Sequence, residues 1–264
     1  MINEIKTAMK KIIPRQHLAL FMNFLKRTVP LIKDYPLEDG RIMSMKASML
    51  FRNKKYVEQN RNTPLKLLLE YFQKETLKST YFGIETWKFP IDFWIYTELV
   101  YEILPDVIIE IGNYKGGSAL ALAHMLDNIG KGRIIGLDIN HDKIPLIVKN
   151  HPRITLITGD ACASANKVKR IVKEGERVLI IEDSAHTYSN TLNVLRTFGS
   201  LVSKGSYFIV EDSICHHGLN VGPNPGPYEA IESFLKENKN FISDREKERF
   251  LVTWNPKGYL KKIR

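Results

Sequence analysis

The 264-residue chain predicts an α/β fold: one mostly parallel, seven-stranded sheet with a C-terminal antiparallel hairpin, preceded by a helical segment. Three observations carry this expectation. Apolar runs near 106–111, 133–138, 153–158, 177–182 and 205–211 alternate with helical stretches near 117–128, 141–150, 163–174 and 187–200. That alternation predicts parallel strands with helices on both faces of the sheet. The first run ends in Glu110 and a Gly-rich turn that opens a helix. Two further runs near 240–244 and 249–254, after a helix at 228–238, lie close enough to pair with each other.

Taken in order, residues 1–80 read as helical. Mixtures of apolar and basic residues fill 5–13 and 18–32, and Pro14, Pro30 and Pro36 break them. Residues 36–40 form a turn, and Thr63 with Pro64 suits a helix start. This segment carries no recognisable chemistry and is expected to serve as a lid or an oligomer contact, beside a domain at 81–264. Thr86 to Tyr96 leads into a helix ending near Leu104 and Pro105, and its aromatics, at helical spacing, are expected in the core. Lys88 faces either a pocket or water.

Composition narrows the class. Hydrophobic residues make up 44% of the chain, enough for a sizeable core. No apolar run approaches the roughly 18–20 residues needed to span a bilayer, and no signal peptide is evident, so a cytoplasmic protein is expected. Cys162 and Cys215 have neither disulfide-framework nor zinc spacing. The net charge of +10 is uneven: residues 1–80 hold 16 Lys/Arg against 7 Asp/Glu, while 81–235 hold 14 against 18. The acidic centre argues against nucleic acid as a partner. The basic ends read as solvated helix faces, with peripheral membrane contact the alternative.

The chemistry gathers at the strand tips. Gly112, Asn113, Gly116, Gly117 and Ser118 form a turn whose backbone N–H groups and new helix N-terminus suit a nucleotide-like ligand. Glu110 would repel phosphate but accept hydrogen bonds from an amine or a ribose, which favours S-adenosylmethionine (SAM) over a dinucleotide. Asp138, at the end of the second strand, suits ribose hydroxyls. Asp160, followed by Ala161, suits the adenine amino group or simply caps the next helix. Strands four and five end alike, in Glu182-Asp183-Ser184 and Glu211-Asp212-Ser213. Acids brought that close repel unless a cation lies among them, and carboxylates favour magnesium, or calcium or manganese. His186, three residues past Asp183, suits a general base. His216 and His217 are weaker candidates to line the pocket.

The five alternating strands and terminal hairpin have the layout of Rossmann-like class I methyltransferases. The span from Thr86 to Leu260 resembles the cephalosporin hydroxylase/rhamnosyl O-methyltransferase family. The residues that carry the resemblance are Phe89-Pro-Ile-Asp-Phe-Trp-Ile-Tyr, Glu110-Ile-Gly-x-x-x-Gly-Gly-Ser, His151-Pro-Arg-Ile-Thr-Leu, Asp183-Ser-x-His186, Val210-Glu-Asp-Ser, Gly226-Pro-Tyr-Glu-Ala and Asn255-Pro-Lys-Gly-Tyr-Leu. The resemblance implies a SAM-dependent O-methyltransferase acting on a sugar, glycolipid or natural-product hydroxyl. It implies magnesium on Asp183, Glu211 and Asp212, with His186 as the catalytic base. A homo-oligomer and a small-molecule or glycan acceptor are expected. A nicotinamide oxidoreductase is the nearest alternative, but neither Gly-x-Gly-x-x-Gly nor Tyr-x-x-x-Lys occurs. An iron-dependent hydroxylase would need a second histidine on the metal. A non-catalytic binding subunit on the same fold would have no use for the intact acid set.

Overall fold

The computed structural model describes residues 65–264. The helices read at 5–13 and 18–32, the turn at 36–40 and the Thr63–Pro64 helix start lie outside them. The chain divides into two compact units, residues 1–71 and 72–264. Helix α1 (Leu65–Thr76) begins in the first.

The second unit continues with a short hairpin, β1 (Thr80–Tyr81) and β2 (Ile84–Glu85), and helix α2 (Pro90–Ile103). Pro90, at the first helical position, loses no hydrogen bond there. The alternating core follows: β3 (Val107–Ile111), α3 (Gly117–Ile129), β4 (Arg133–Asp138), α4 (Leu146–Lys149), β5 (Ile154–Thr158), α5 (Ala161–Ile171), β6 (Val178–Glu182), α6 (Tyr188–Phe198) and β7 (Tyr207–Val210). Helix α7 (Pro227–Glu237), β8 (Phe241–Ser243), a 3₁₀ turn at Arg245–Glu248 and β9 (Tyr259–Lys262) complete the chain.

The seven strands lie in the order β5-β4-β3-β6-β7-β9-β8, with β9 antiparallel to both its neighbours and the other pairs parallel. This matches the class I methyltransferase layout expected from the sequence. Side chains alternate between its faces. Ile109, Ile135, Ile180 and Phe208 pack on one side with Leu195 and Phe198 of α6 and Phe234 of α7. Ile108, Ile134, Leu179 and Ile209 pack on the other with Leu99 of α2 and Leu120 of α3. Burial on both faces explains why the strands read as unbroken apolar runs. Each such isoleucine contributes roughly 1.5–3 kcal/mol.

The chain moves outward from β3 through β4 to β5, then returns to β6 on the other side of β3. Ligands in such sheets bind where the strand order reverses, beyond the carboxyl ends of the strands. Ile111 of β3 is paired with Leu137 on one side and Glu182 on the other, so the tips of the three strands end level. Among the described residues no helix is long and apolar enough to cross a membrane.

Three expectations need correction. The last strand is Tyr259–Lys262, not 249–254. Residues 249–254 are rich in strand formers, but Leu251 is 90% exposed with φ +65 and no sheet neighbour. The helix read at 141–150 shrinks to Leu146–Lys149, because Pro145 prevents the chain before it from continuing the helical turn. The aromatics around α2 divide: Phe89 and Tyr96 are buried, whereas Trp87 and Trp94 are exposed.

Candidate active site

The turn after β3 is held from both sides. Gly112 N–H donates to the Leu137 carbonyl at 2.8 Å, and Asp183 N–H donates to the Ile111 carbonyl at 2.8 Å. Gly112 has φ +90, and any Cβ there would overlap the Asp183 carbonyl. Asp138 Oδ2 accepts from the N–H groups of Asn113 (2.8 Å) and Tyr114 (2.9 Å), while its Oδ1 accepts from Asn140 N–H at 3.3 Å. The acid expected on a ribose therefore also shapes the turn. Gly116 has φ +79, and a Cβ there would press on Val148 of α4. Asp160 caps α5 through Ala163 N–H at 2.8 Å.

A cavity of about 600 Å³ opens above this turn, within the ~300–1,000 Å³ typical of small-molecule sites. Gly112, Asn113, Gly117, Ser118, Asp138, Asp160 and Ala161 all reach its wall. Glu110 and Gly116 do not. Glu110 is fully buried behind the wall; its Oε2 accepts from Asn113 Nδ2 at 2.8 Å. Burial raises its carboxyl pKa, with the Lys88 ammonium pulling the other way.

The tips of β6 and β7 meet at the same cavity. His186 Nε2 lies 3.7 Å from Asp183 Oδ1 and 3.4 Å from Asp212 Oδ2. Both His186 (φ +54) and Asp212 (φ +55) sit in the left-handed region. Such strain in non-glycine residues concentrates at functional sites. Burial opposes charge on the His186 imidazole, but Asp212 and Asp183 outweigh it and raise its pKa. Burial also raises the Asp212 pKa, and His186 opposes that rise. Glu182 is not among these contacts: it is fully buried beneath them and accepts from Ser184, Asn190 and Thr191.

Ligand atoms of Asp183, His186 and Asp212 lie within 4.8 Å of one another. Glu211 stands apart from them, bound to Lys88. The Lys88 Nζ is 2.5 Å from Glu211 Oε1, 2.5 Å from Asp183 Oδ2 and 3.8 Å from Glu110 Oε1. Burial would discharge this lysine, but Asp183, Glu211 and Glu110 together raise its pKa and keep it protonated. Burial drives the Glu211 carboxyl well above its usual range, and Asp183 adds to the effect. His186 Nδ1 and Glu110 Oε1 are both buried without a hydrogen-bond partner. Two facing carboxylates in a buried cluster of acidic groups fit a hard divalent cation, which takes oxygen ligands.

A second trio, His124, Asp127 and His151, also lies close together. Its members are already engaged with each other and with neighbours. Asp127 Oδ1 accepts from Arg153 Nε at 2.5 Å, Asp127 Oδ2 lies 3.2 Å from His151 Nε2, and His124 Nδ1 bonds the Tyr81 hydroxyl at 2.9 Å.

Neither His216 nor His217 reaches the cavity; His217 bonds Glu229 at 2.6 Å and stacks on Tyr228. The sequence leaves Lys88 undecided and carries no sign of the pairing of Trp87 with Tyr114, whose rings lie 4.5 Å apart on the cavity wall. The signal for Lys88 was a lone lysine within an apolar, aromatic stretch, ambiguous until the fold places it.

Residues 73–263 match the model of the family described as Rhamnosyl O-methyltransferase/CmcI. Rhamnosyl O-methyltransferases of Mycobacterium bovis and Mycobacterium tuberculosis are 34% identical over 190 residues, covering 69% of this chain and 78% of theirs. The Mycobacterium leprae protein of that name is 31% identical over 196 residues, covering 69% and 82%. Among solved structures, CmcI with Mg and SAM superposes with a TM-score of 0.58 at 21% identity, over 71% of this chain and 78% of that one. The likeness to CmcI supports the fold, and the match along 73–263 supports the relationship. The chain belongs to the rhamnosyl O-methyltransferase/CmcI family of O-methyltransferases.

Proposed function

We propose that this protein transfers the methyl group of SAM to a hydroxyl of a sugar, glycolipid or natural-product acceptor, with a divalent cation, magnesium first, at Asp183 and Asp212. One observation carries the reading: the Gly-rich turn after β3 and the Asp183–His186–Asp212 cluster open onto one cavity at the switch point of the sheet. The acceptor class follows from the rhamnosyl O-methyltransferase relatives. The cofactor and metal follow from the donor chemistry and from CmcI, which is described with Mg and SAM.

In this reading the turn from Gly112 to Ser118 binds the methionine end of SAM. Glu110, buried behind Asn113, holds that side chain in place rather than touching the ligand. Asp138 Oδ1, on the cavity wall, accepts from a ribose hydroxyl, and Asp160 keeps an oxygen free of its helix cap for the adenine amino group. When bound, the cation lowers the pKa of the acceptor hydroxyl and fixes its direction. His186 Nε2 takes the hydroxyl proton. Asp183 and Asp212, once they share their charge with a cation, hold that proton less firmly, which suits His186 to act as the base. The acceptor oxygen forms its bond to the methyl carbon as the sulfur–carbon bond breaks, leaving S-adenosylhomocysteine. Positioning is most of what the protein supplies, because the sulfonium methyl is already activated. Residues 1–80 serve as a lid or a homo-oligomer contact, with a methyltransferase domain at 81–264.

The test is transfer of labelled methyl from SAM to a panel of rhamnosides, other glycosides and catechols. Methylated product with magnesium, and none after chelation, is the expected result. Transfer undiminished by exhaustive chelation would remove the cation from the reading.

A further inference from the structure

The ammonium of Lys88 lies where the carboxylates most need a cation. It bridges Asp183 Oδ2 and Glu211 Oε1 at 2.5 Å each, and Lys88 is only 7% exposed. Asp183 therefore belongs to two sets at once: one oxygen is held by Lys88, and the other faces His186 on the side shared with Asp212. A divalent cation and an ammonium that draw on the same carboxylate, Asp183, repel each other, and in a buried site that repulsion is poorly screened. The ammonium must weaken its hold on Asp183 when the cation binds. A partner for it is already in place. Glu110 Oε1 is fully buried, lies 3.8 Å from the Lys88 Nζ and has no hydrogen bond. Its sister oxygen is fixed by Asn113 Nδ2 at 2.8 Å, so this acceptor is held in position. A lysine, on a flexible four-carbon stem with three donors, can make the move; a rigid guanidinium could not do so as readily.

We propose that Lys88 is a positioning residue of the metal site: it holds Asp183 and Glu211 together as a resident cation, yields to the divalent cation, and passes its ammonium to Glu110. The exchange links two parts of the cavity. Glu110 grips Asn113 in the cofactor turn, so filling the metal site adds a tie behind the wall that faces SAM. The orphaned Glu110 oxygen is then an acceptor that is used only in the metal-loaded state. This inference rests on the reading of a divalent cation at Asp183 and Asp212.

The test is Mn²⁺ affinity, read by electron paramagnetic resonance on wild type, Lys88→Met, Glu110→Gln and the double variant. Lys88→Met should bind Mn²⁺ about tenfold more tightly or better, because the competing charge is gone. Glu110→Gln should weaken binding by about tenfold in the wild-type background. It should change binding by no more than about twofold in the Lys88→Met background, since Glu110 acts through Lys88. Equal effects of Glu110→Gln in both backgrounds would show simple charge addition and overturn the exchange. Unchanged or weaker binding by Lys88→Met would overturn it as well. A crystal structure of the wild-type protein with Mn²⁺ gives a check that no variant can spoil by misfolding. Lys88 should hydrogen-bond Glu110, and an ammonium still bridging Asp183 and Glu211 beside a bound ion contradicts the proposal alone. If no Mn²⁺ binds to wild type or to Lys88→Met, both the proposal and the cation reading beneath it fail.

Discussion

The backbone of Gly112 packs against the carbonyl of Asp183, so closely that a single added methyl at Gly112 would overlap that oxygen. The contact joins the turn that opens α3 to the acid at the tip of β6. It explains why the turn needs glycine at this point: φ +90 and the lack of space both exclude other side chains. Gly112→Ala is expected to cost about 3 kcal/mol or more, lowering Tm by roughly 10 °C for a chain of this size. SAM binding should weaken in parallel. A melt and a titration that match wild type would refute the contact.

Asp183→Asn keeps the shape of the side chain but removes the charge shared by Lys88 and the His186–Asp212 cluster. Methyl transfer should fall by about a hundredfold or more, with SAM affinity within about threefold of wild type by calorimetry. Loss of both together would mean that Asp183 supports the cavity rather than the chemistry.

Asp138 accepts two backbone N–H groups from the turn, so its role extends beyond the ligand. Asp138→Ala leaves the donors of Asn113 and Tyr114 without their carboxylate. Stability should drop by about 1–3 kcal/mol, and SAM affinity by tenfold or more. A variant with normal stability and weakened SAM binding would show that the ligand contact alone matters.

Asp92 ties the first turn of α2 to β9 and the loop before it, accepting from Thr253 Oγ1 (2.5 Å), Trp254 N–H (2.7 Å) and the Tyr259 hydroxyl (2.8 Å). Burial still dominates and pushes its pKa from 3.8 to about 6, against those three hydrogen bonds. A raised carboxyl pKa means that the stabilising share is full below the unfolded value and is lost as pH rises through about 6. The stability of wild type relative to Asp92→Asn should therefore shrink between about pH 4 and pH 7, by on the order of 3 kcal/mol. Urea denaturation of both proteins across that range checks the sign. A difference that grows with pH would mean that the three donors outweigh burial.

Much of the fold is legible because β3, β4, β6 and β7 are buried on both faces and appear as short apolar runs. The switch point followed from that alternation, and with it the meeting of the Gly-rich turn with the strand-tip acids. Strand β9 was not legible. It ends in Lys261 and Lys262, which look like a charged tail, yet the Lys262 ammonium is taken up by the carbonyls of Gly199, Ser200 and Val202. The stretch at 249–254 has the better strand composition but lies outside the sheet. Local preference lost to tertiary pairing there. Within the site, the sequence brought Asp183, Glu211 and Asp212 to one region, but only the fold places Lys88 on Glu211. A lysine 123 residues before Glu211 carries no local mark of that contact.

Calorimetric titration of SAM, and separately of NADH, into the purified 264-residue protein with and without magnesium decides between a methyltransferase and a nicotinamide enzyme. SAM binding with no heat from NADH is the expected outcome, and it would justify the search for the acceptor hydroxyl. Binding of NADH in place of SAM would contradict the account and make the cavity a nicotinamide site.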